Sequence, residues 1–201
     1  MGLTQEMSMQ NILLAAGLAS RSGGEKLFYP YGGYPLIHRS VLSSLEAGLF
    51  TVVVTGYRGD EVAAALADLS CPNLSLVHNE HYDKGQGGST QVGVLHLRPH
   101  LPFFISLGDM PLIEARHYRA LSAAYSGAPL RPRYGSKAGH PVLLPPSFIP
   151  IIKTQVLPFT MRELLRSHPM AYLDTTEEAY VQDVDTASAY HHLLTERGQR
   201  P

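Results

Sequence analysis

The chain of 201 residues is long enough for one domain with a full core, and 44% of it is hydrophobic. A formal net charge of −1 offers no basic surface for nucleic acid, and no apolar run approaches the roughly 18 to 20 residues of a membrane span. The single cysteine, Cys71, cannot form an internal disulfide; this fits a reducing cytoplasm, with the thiol expected to be buried or semi-exposed.

Residues 1–10 read as a flexible leader, without the basic-then-apolar order of a signal peptide. Asn11 to Ala16 is a short apolar run of the kind that forms a buried strand. It ends at Gly17 in a loop of small residues, which let a backbone approach a ligand and turn N–H groups toward an anion. Arg21 and Lys26 follow, two cations that either cradle a polyphosphate or face water. The loop carries neither a P-loop G-x-x-x-x-G-K-[ST] nor a dinucleotide G-x-G-x-x-G. Tyr31 to Pro35 is a turn, and Pro35 suits the first position of a helix to about Ala47. Thr51 to Thr55 is a β-branched buried strand, and a helix is expected from about Asp60 to Leu69. Asn73 to His78 is a third strand. His81 to Thr90 is a second glycine-rich loop leading into a helix to about Leu97. Pro102 to Leu107 is a fourth strand, ending at Gly108-Asp109-Met110-Pro111.

Strand and helix alternate with short connections. This predicts an α/β single domain, a Rossmann-like three-layer sandwich whose mostly parallel sheet is covered on both faces. Ligands of such sheets sit beyond the carboxyl ends of the strands, so Gly17, Gly56 and Asp109 should share one rim. The second half is less regular. It reads as a helix from Glu114 to Tyr125, a loop from Gly127 to Gly139 carrying Arg131, Arg133 and Lys137, and a strand from Pro141 to Leu144. Short helices follow over Pro146 to Lys153 and Thr160 to Ser167, the latter opened by a capping box of Thr160 and Glu163. An edge strand is expected at Ala171 to Asp174, and a last helix runs to about Glu196.

Asp109 follows an apolar strand at the rim, where its carboxylate either holds a divalent cation beside a polyphosphate or caps the helix starting near Ile113. Asp183 and Asp185 are a second source of carboxylates, although Asp185-Thr186 is equally a helix cap. His140, between a glycine and a proline, either faces a substrate or bonds backbone in a tight turn.

Five motifs, in order from residue 11 to about 190, then add to this reading. Leu14-Ala15-Ala16-Gly17, Arg21, Gly23 and Lys26 give L-A-A-G-x-x-x-R-x-G-x-x-K, and Gly85 to Thr90 sits where a G-x-x-S-S run is expected. Leu107 to Leu112 matches L-x-D-x-P-L, Gly139 to Leu143 matches G-H-P-V-L, and Asp183 to Thr186 matches D-x-D-T. The pattern resembles the nucleotidyltransferases related to the molybdenum cofactor cytidylyl- and guanylyltransferases, of the nucleotide-diphospho-sugar transferase fold. The resemblance implies a nucleotidyltransferase domain over residues 11–197 in which a phosphate on an acceptor attacks the α-phosphorus of an NTP and pyrophosphate leaves. In such a reaction the protein positions the groups and stabilises charge. The resemblance further implies Mg²⁺ held by Asp109 and Asp185, and catalytic roles for Arg21 and Lys26 on the triphosphate. It implies nucleotide contacts from Leu14, Ala15, Ala16, Gly17, Arg21, Lys26, Gly85, Gly87, Ser89 and Asp109. Gly139, His140 and Arg162 would contact the acceptor. The double alanine before Gly17 is nearer the cytidylyl-using relatives, so CTP is the expected donor. Molybdopterin or the molybdenum cofactor is the expected acceptor, and a molybdoenzyme or its chaperone the expected partner.

The chain also departs from the pattern. Relatives acting on molybdopterin carry G-D-x-G-A-R where this chain reads Leu157-Pro158-Phe159-Thr160-Met161-Arg162, keeping only the arginine. Ala187-Ser188-Ala189 replaces a usual P-E-D, and Tyr34 stands where lysine is common. These changes fall on the acceptor half. They leave as alternatives a non-catalytic nucleotide- or cofactor-binding accessory protein or a sugar-phosphate nucleotidyltransferase, while the one or two residues that separate L-A-A-G from L-A-G-G leave a guanylyltransferase as a third.

Overall fold

The computed structural model describes residues 9–17, 25–185 and 187–196. Arg21 and residues 1–8 of the expected leader lie outside the described residues. Gln10 does not belong to a leader: it is buried at the start of the first strand, and its side-chain amide donates to the carbonyls of Arg98 and Leu101.

In chain order the strands are β1 (Gln10–Ala15), β2 (Pro30–Tyr31), β3 (Tyr34–Pro35), β4 (Phe50–Thr55), β5 (Leu74–His78), β6 (Phe103–Leu107), β7 (Leu130–Tyr134), β8 (Lys137–Ala138), β9 (Val142–Leu144) and β10 (Ala171–Thr175). The helices are α1 (Leu36–Glu46), α2 (Gly59–Ala65), α3 (Gln86–Val94), α4 (Ala115–Ala124), α5 (Phe148–Lys153), α6 (Met161–Arg166) and α7 (Ala187–Glu196). The sheet runs β10-β7-β9-β6-β1-β4-β5, with β8 paired to β7, and β2 and β3 form a separate small hairpin.

β1 lies inside the sheet because its side chains are apolar on both faces. Ile12 and Leu14 pack with Val52, Val54, Val94 and Ile149 on one side, while Leu13 and Ala15 pack with Ile37, Val41 and Val62 on the other. A strand covered on both faces reads as a continuous apolar run rather than an alternating one. β1 is parallel to β4 and β6, and β4 is parallel to β5. β9 runs antiparallel to β6. Helices cover both faces, giving the expected three layers. At the start of β1 a polar cluster is sealed in the core: Ser106 Oγ donates to Asn11 Oδ1 at 3.0 Å, and Asn11 Nδ2 donates to Ser44 Oγ at 2.9 Å.

Several local expectations shift. Pro35 pairs with Pro30 in the hairpin, so it is the extended N-cap of α1 rather than its first turn. α2 ends at Ala65, and a 3-10 turn takes over at Ala67–Leu69. The stretch read as a loop from Gly127 to Gly139 contains β7 and β8. These charged strands are held by long-range partners: β7 pairs in parallel with β10, and Arg133 forms a two-bond ion pair with Asp174 while stacking on the Tyr172 ring. In the second glycine-rich segment, residues 86–90 are already helix α3. Thr160 caps α6 as expected, its Oγ1 accepting from the Glu163 N–H at 3.2 Å. Cys71 is exposed rather than buried or semi-exposed. Among the described residues no helix is long and apolar enough to cross a membrane.

Candidate active site

Because β1, β4 and β6 are parallel and adjacent, their carboxyl ends open on one edge of the sheet. The strand ends are tied together there. Gly108 N–H donates to the Leu14 carbonyl at 3.0 Å, and Tyr57 N–H donates to the Ala16 carbonyl at 3.4 Å. Beyond them lies a cleft of about 310 Å³. Leu14, Ala15, Ala16 and Gly17 form its wall at the end of β1. Gly85, Gln86 and Ser89, at the amino end of α3, face it from another side, and Lys26 and Asp109 also line it.

Lys26 anchors the charge of the site. Its Nζ donates to Asp109 Oδ2 and, at 2.7 Å, to Asp185 Oδ1. Lys26 and Asp109 are each 15% exposed and Asp185 44%. The late loop reaches this point because Val184 N–H donates to the Asp109 carbonyl at 2.9 Å. Burial alone would push the Lys26 ammonium down, but Asp109 and Asp185 outweigh it and hold its pKa above 10.5. Burial, with the negative charges of Asp185 and Asp109, raises Asp183 above the ordinary carboxylate value.

Two carboxylates against one ammonium leave a negative charge over. Asp109 Oδ1 is buried and has no hydrogen-bond partner among the described residues. An orphaned carboxylate oxygen beside a second carboxylate suits a hard divalent cation, which needs only one or two protein carboxylates when phosphates and water supply the rest. Among the described residues no group of three or more His, Cys, Asp and Glu could hold a metal alone. Asp109 is not a helix cap: α4 is capped by Glu114, whose N–H donates to His117 Nδ1 at 2.8 Å.

Gly87 and the three residues expected to meet the acceptor are not in this cleft. A Cβ on Gly87 would lie 2.2 Å from the Phe159 carbonyl, so Gly87 is glycine because the 155–159 segment packs on α3. Gly139 is likewise a packing glycine, with a Cβ position 2.1 Å from the Tyr180 carbonyl. His140 leads into β9 and bonds backbone: its N–H donates to the Tyr180 carbonyl at 2.9 Å. Its ring is kept neutral, with burial first and the Arg131 charge second pushing its pKa down to about 4. Arg162 is exposed on α6, and its charge acts on Arg131. The cleft also uses residues not expected from the sequence: Phe28, Tyr57, Tyr82, Asp83 and Gln86. Tyr57 could have been found, since it follows Gly56 directly past the end of β4.

The family model of the MobA-like NTP transferase domain matches residues 11–172. The chain belongs to this family of nucleotidyltransferases. It is 27% identical over 177 residues to the molybdenum cofactor cytidylyltransferase of Escherichia coli (strain K12), covering 87% of this chain and 90% of that protein. Among solved structures, Rv0371c from Mycobacterium tuberculosis superposes with a TM-score of 0.79 at 22% identity, covering 94% of this chain and 98% of that one. A nucleotidyl transferase from Methanothermobacter thermautotrophicus gives 0.78 at 18% identity, covering 96% and 98%. Both structures share the fold of this transferase, and the cleft at the end of its β1 is its candidate active site.

Proposed function

We propose that this transferase moves a cytidylyl group from CTP onto a phosphorylated acceptor of the molybdopterin class, with Mg²⁺, releasing pyrophosphate. The observation that carries this reading is Lys26 held between Asp109 and Asp185 in the cleft beyond β1. Lys26 supplies a fixed positive charge where the triphosphate would develop negative charge. The small side chains of Ala15, Ala16 and Gly17 let the nucleotide lie against the backbone. Asp109 and Asp185 would hold the metal, whose role when bound is to neutralise the departing pyrophosphate. The double alanine and the cytidylyltransferase from Escherichia coli support CTP as donor and the molybdenum cofactor branch as acceptor. A lone, exposed Cys71 is compatible with work in a reducing cytoplasm.

The test is calorimetric titration of CTP, GTP and ATP with Mg²⁺, followed by pyrophosphate release with molybdopterin as acceptor. CTP should bind best, and Asp109→Ala should lower turnover more than tenfold. Preference for GTP would move the donor to the guanylyl branch. A loss smaller than tenfold in Asp109→Ala would overturn the metal assignment. Nucleotide binding with no pyrophosphate release would favour an accessory binding protein.

A further inference from the structure

Asn79 lies just past the end of β5 and is 3% exposed. Its backbone N–H donates to the Thr55 carbonyl at 2.8 Å, fixing it to the end of β4. Its side-chain amide is held at both ends. Oδ1 accepts from the His81 backbone N–H at 3.0 Å, and Nδ2 donates to Ser89 Oγ at 3.0 Å. A backbone N–H can only donate, so the amide oxygen must face His81 and the NH₂ must face Ser89.

This settles what the Ser89 hydroxyl does. A serine hydroxyl has one proton to give and lone pairs to receive. Ser89 receives from Asn79, and among the described residues no other hydrogen bond uses its hydroxyl. Ser89 is itself 3% exposed, in the first turn of α3, and its remaining surface lines the cleft. The proton therefore remains available to the cleft.

We infer that Asn79 is a positioning residue, holding the Ser89 hydroxyl as a donor toward an acceptor atom of the bound nucleoside triphosphate. The inference rests on the nucleotide reading above. Asn79 does not touch the nucleotide; it orients the group that does. Asn79→Asp keeps the acceptor for His81 and replaces the NH₂ donor with a carboxylate oxygen. Ser89 then gives its proton to that carboxylate, and the nucleotide loses its partner.

The test is a double-variant cycle read by calorimetric titration of CTP with Mg²⁺ into the full chain. Ser89→Ala and Asn79→Asp are each expected to weaken CTP about five- to tenfold, the worth of one hydrogen bond. The Asn79→Asp/Ser89→Ala pair is expected to lose no more than Ser89→Ala alone, because both remove the same donor. In steady state the loss should fall on KM for CTP more than on kcat. A simple tie between β5 and α3 would instead lower the melting temperature of both variants and leave CTP affinity unchanged. Unchanged affinity in Asn79→Asp, or losses that multiply in the double variant, would overturn the inference. Should Asn79→Asp lack a thermal transition, Ser89→Ala decides alone, and wild-type affinity there also overturns it. A wild type that binds no NTP would refute the underlying nucleotide reading instead.

Discussion

Replacing Gly139 by alanine tests whether this glycine serves packing or substrate. The added Cβ would sit 2.1 Å from the Tyr180 carbonyl oxygen, 2.8 Å from its carbon and 3.1 Å from its Cβ. Relief requires a movement of about 1 Å on one side. Tyr180 cannot retreat, because it is buried in the core with Tyr118, Leu121 and Leu143. Gly139 is equally tied. Its N–H donates to the Pro132 carbonyl at 2.8 Å, its carbonyl accepts from the Arg131 guanidinium, and the neighbouring His140 N–H donates to the same Tyr180 carbonyl that the methyl group would strike. Overpacking costs about 1–3 kcal/mol, and each loosened hydrogen bond about 1 kcal/mol more. We expect Gly139→Ala to lose about 2–5 kcal/mol of unfolding free energy, measured by urea denaturation without substrate. A loss below about 1 kcal/mol with an unchanged denaturant slope would refute this reasoning and return Gly139 to the list of acceptor contacts.

Two further outcomes follow from buried polar groups. His140 has a folded pKa of about 4 against an ordinary 6.5, so the unfolded chain gains a proton that the fold refuses. Its contribution to stability is fully present above about pH 6.5 and is lost as pH falls toward 4, to a ceiling of about 3 kcal/mol. Denaturation midpoints measured over that range should flatten in His140→Gln, and an unaltered slope would contradict it. Ser106→Ala leaves Asn11 Oδ1 in the core without that donor, and should cost about 1–3 kcal/mol in the same assay. Unchanged stability would mean that another group serves Asn11.

Much of the fold and part of the site were legible in the chain. The uninterrupted apolar run of β1 demands a strand covered on both faces, whichever helices cover it. Small residues after it, followed by Lys26 and a later Asp109 past another apolar strand, mark one rim once the strands are parallel. The Thr160 and Glu163 cap was legible because its partners are three residues apart.

Tertiary structure decided what depends on distant partners. β7 alternates Leu130, Pro132 and Tyr134 with Arg131 and Arg133, but over five residues with a central proline and two cations it reads as a loop; Asp174 and β10, some forty residues on, pair with it and make it a strand. Asp185 reads locally as a helix cap, and only the fold brings its Oδ1 to Lys26, 159 positions away. Gly17, Gly87 and Gly139 are the same letter in three of the motifs, yet Gly17 lines the cleft while the other two make room for the backbone of Phe159 and Tyr180. Periodicity and caps act within a few residues of chain, so the sequence alone determined the apolar strands, the longer helices and the order of its motifs. Which side chains meet, and which glycine faces a ligand rather than a neighbour, is set by contacts that exist only once the sheet has closed around β1.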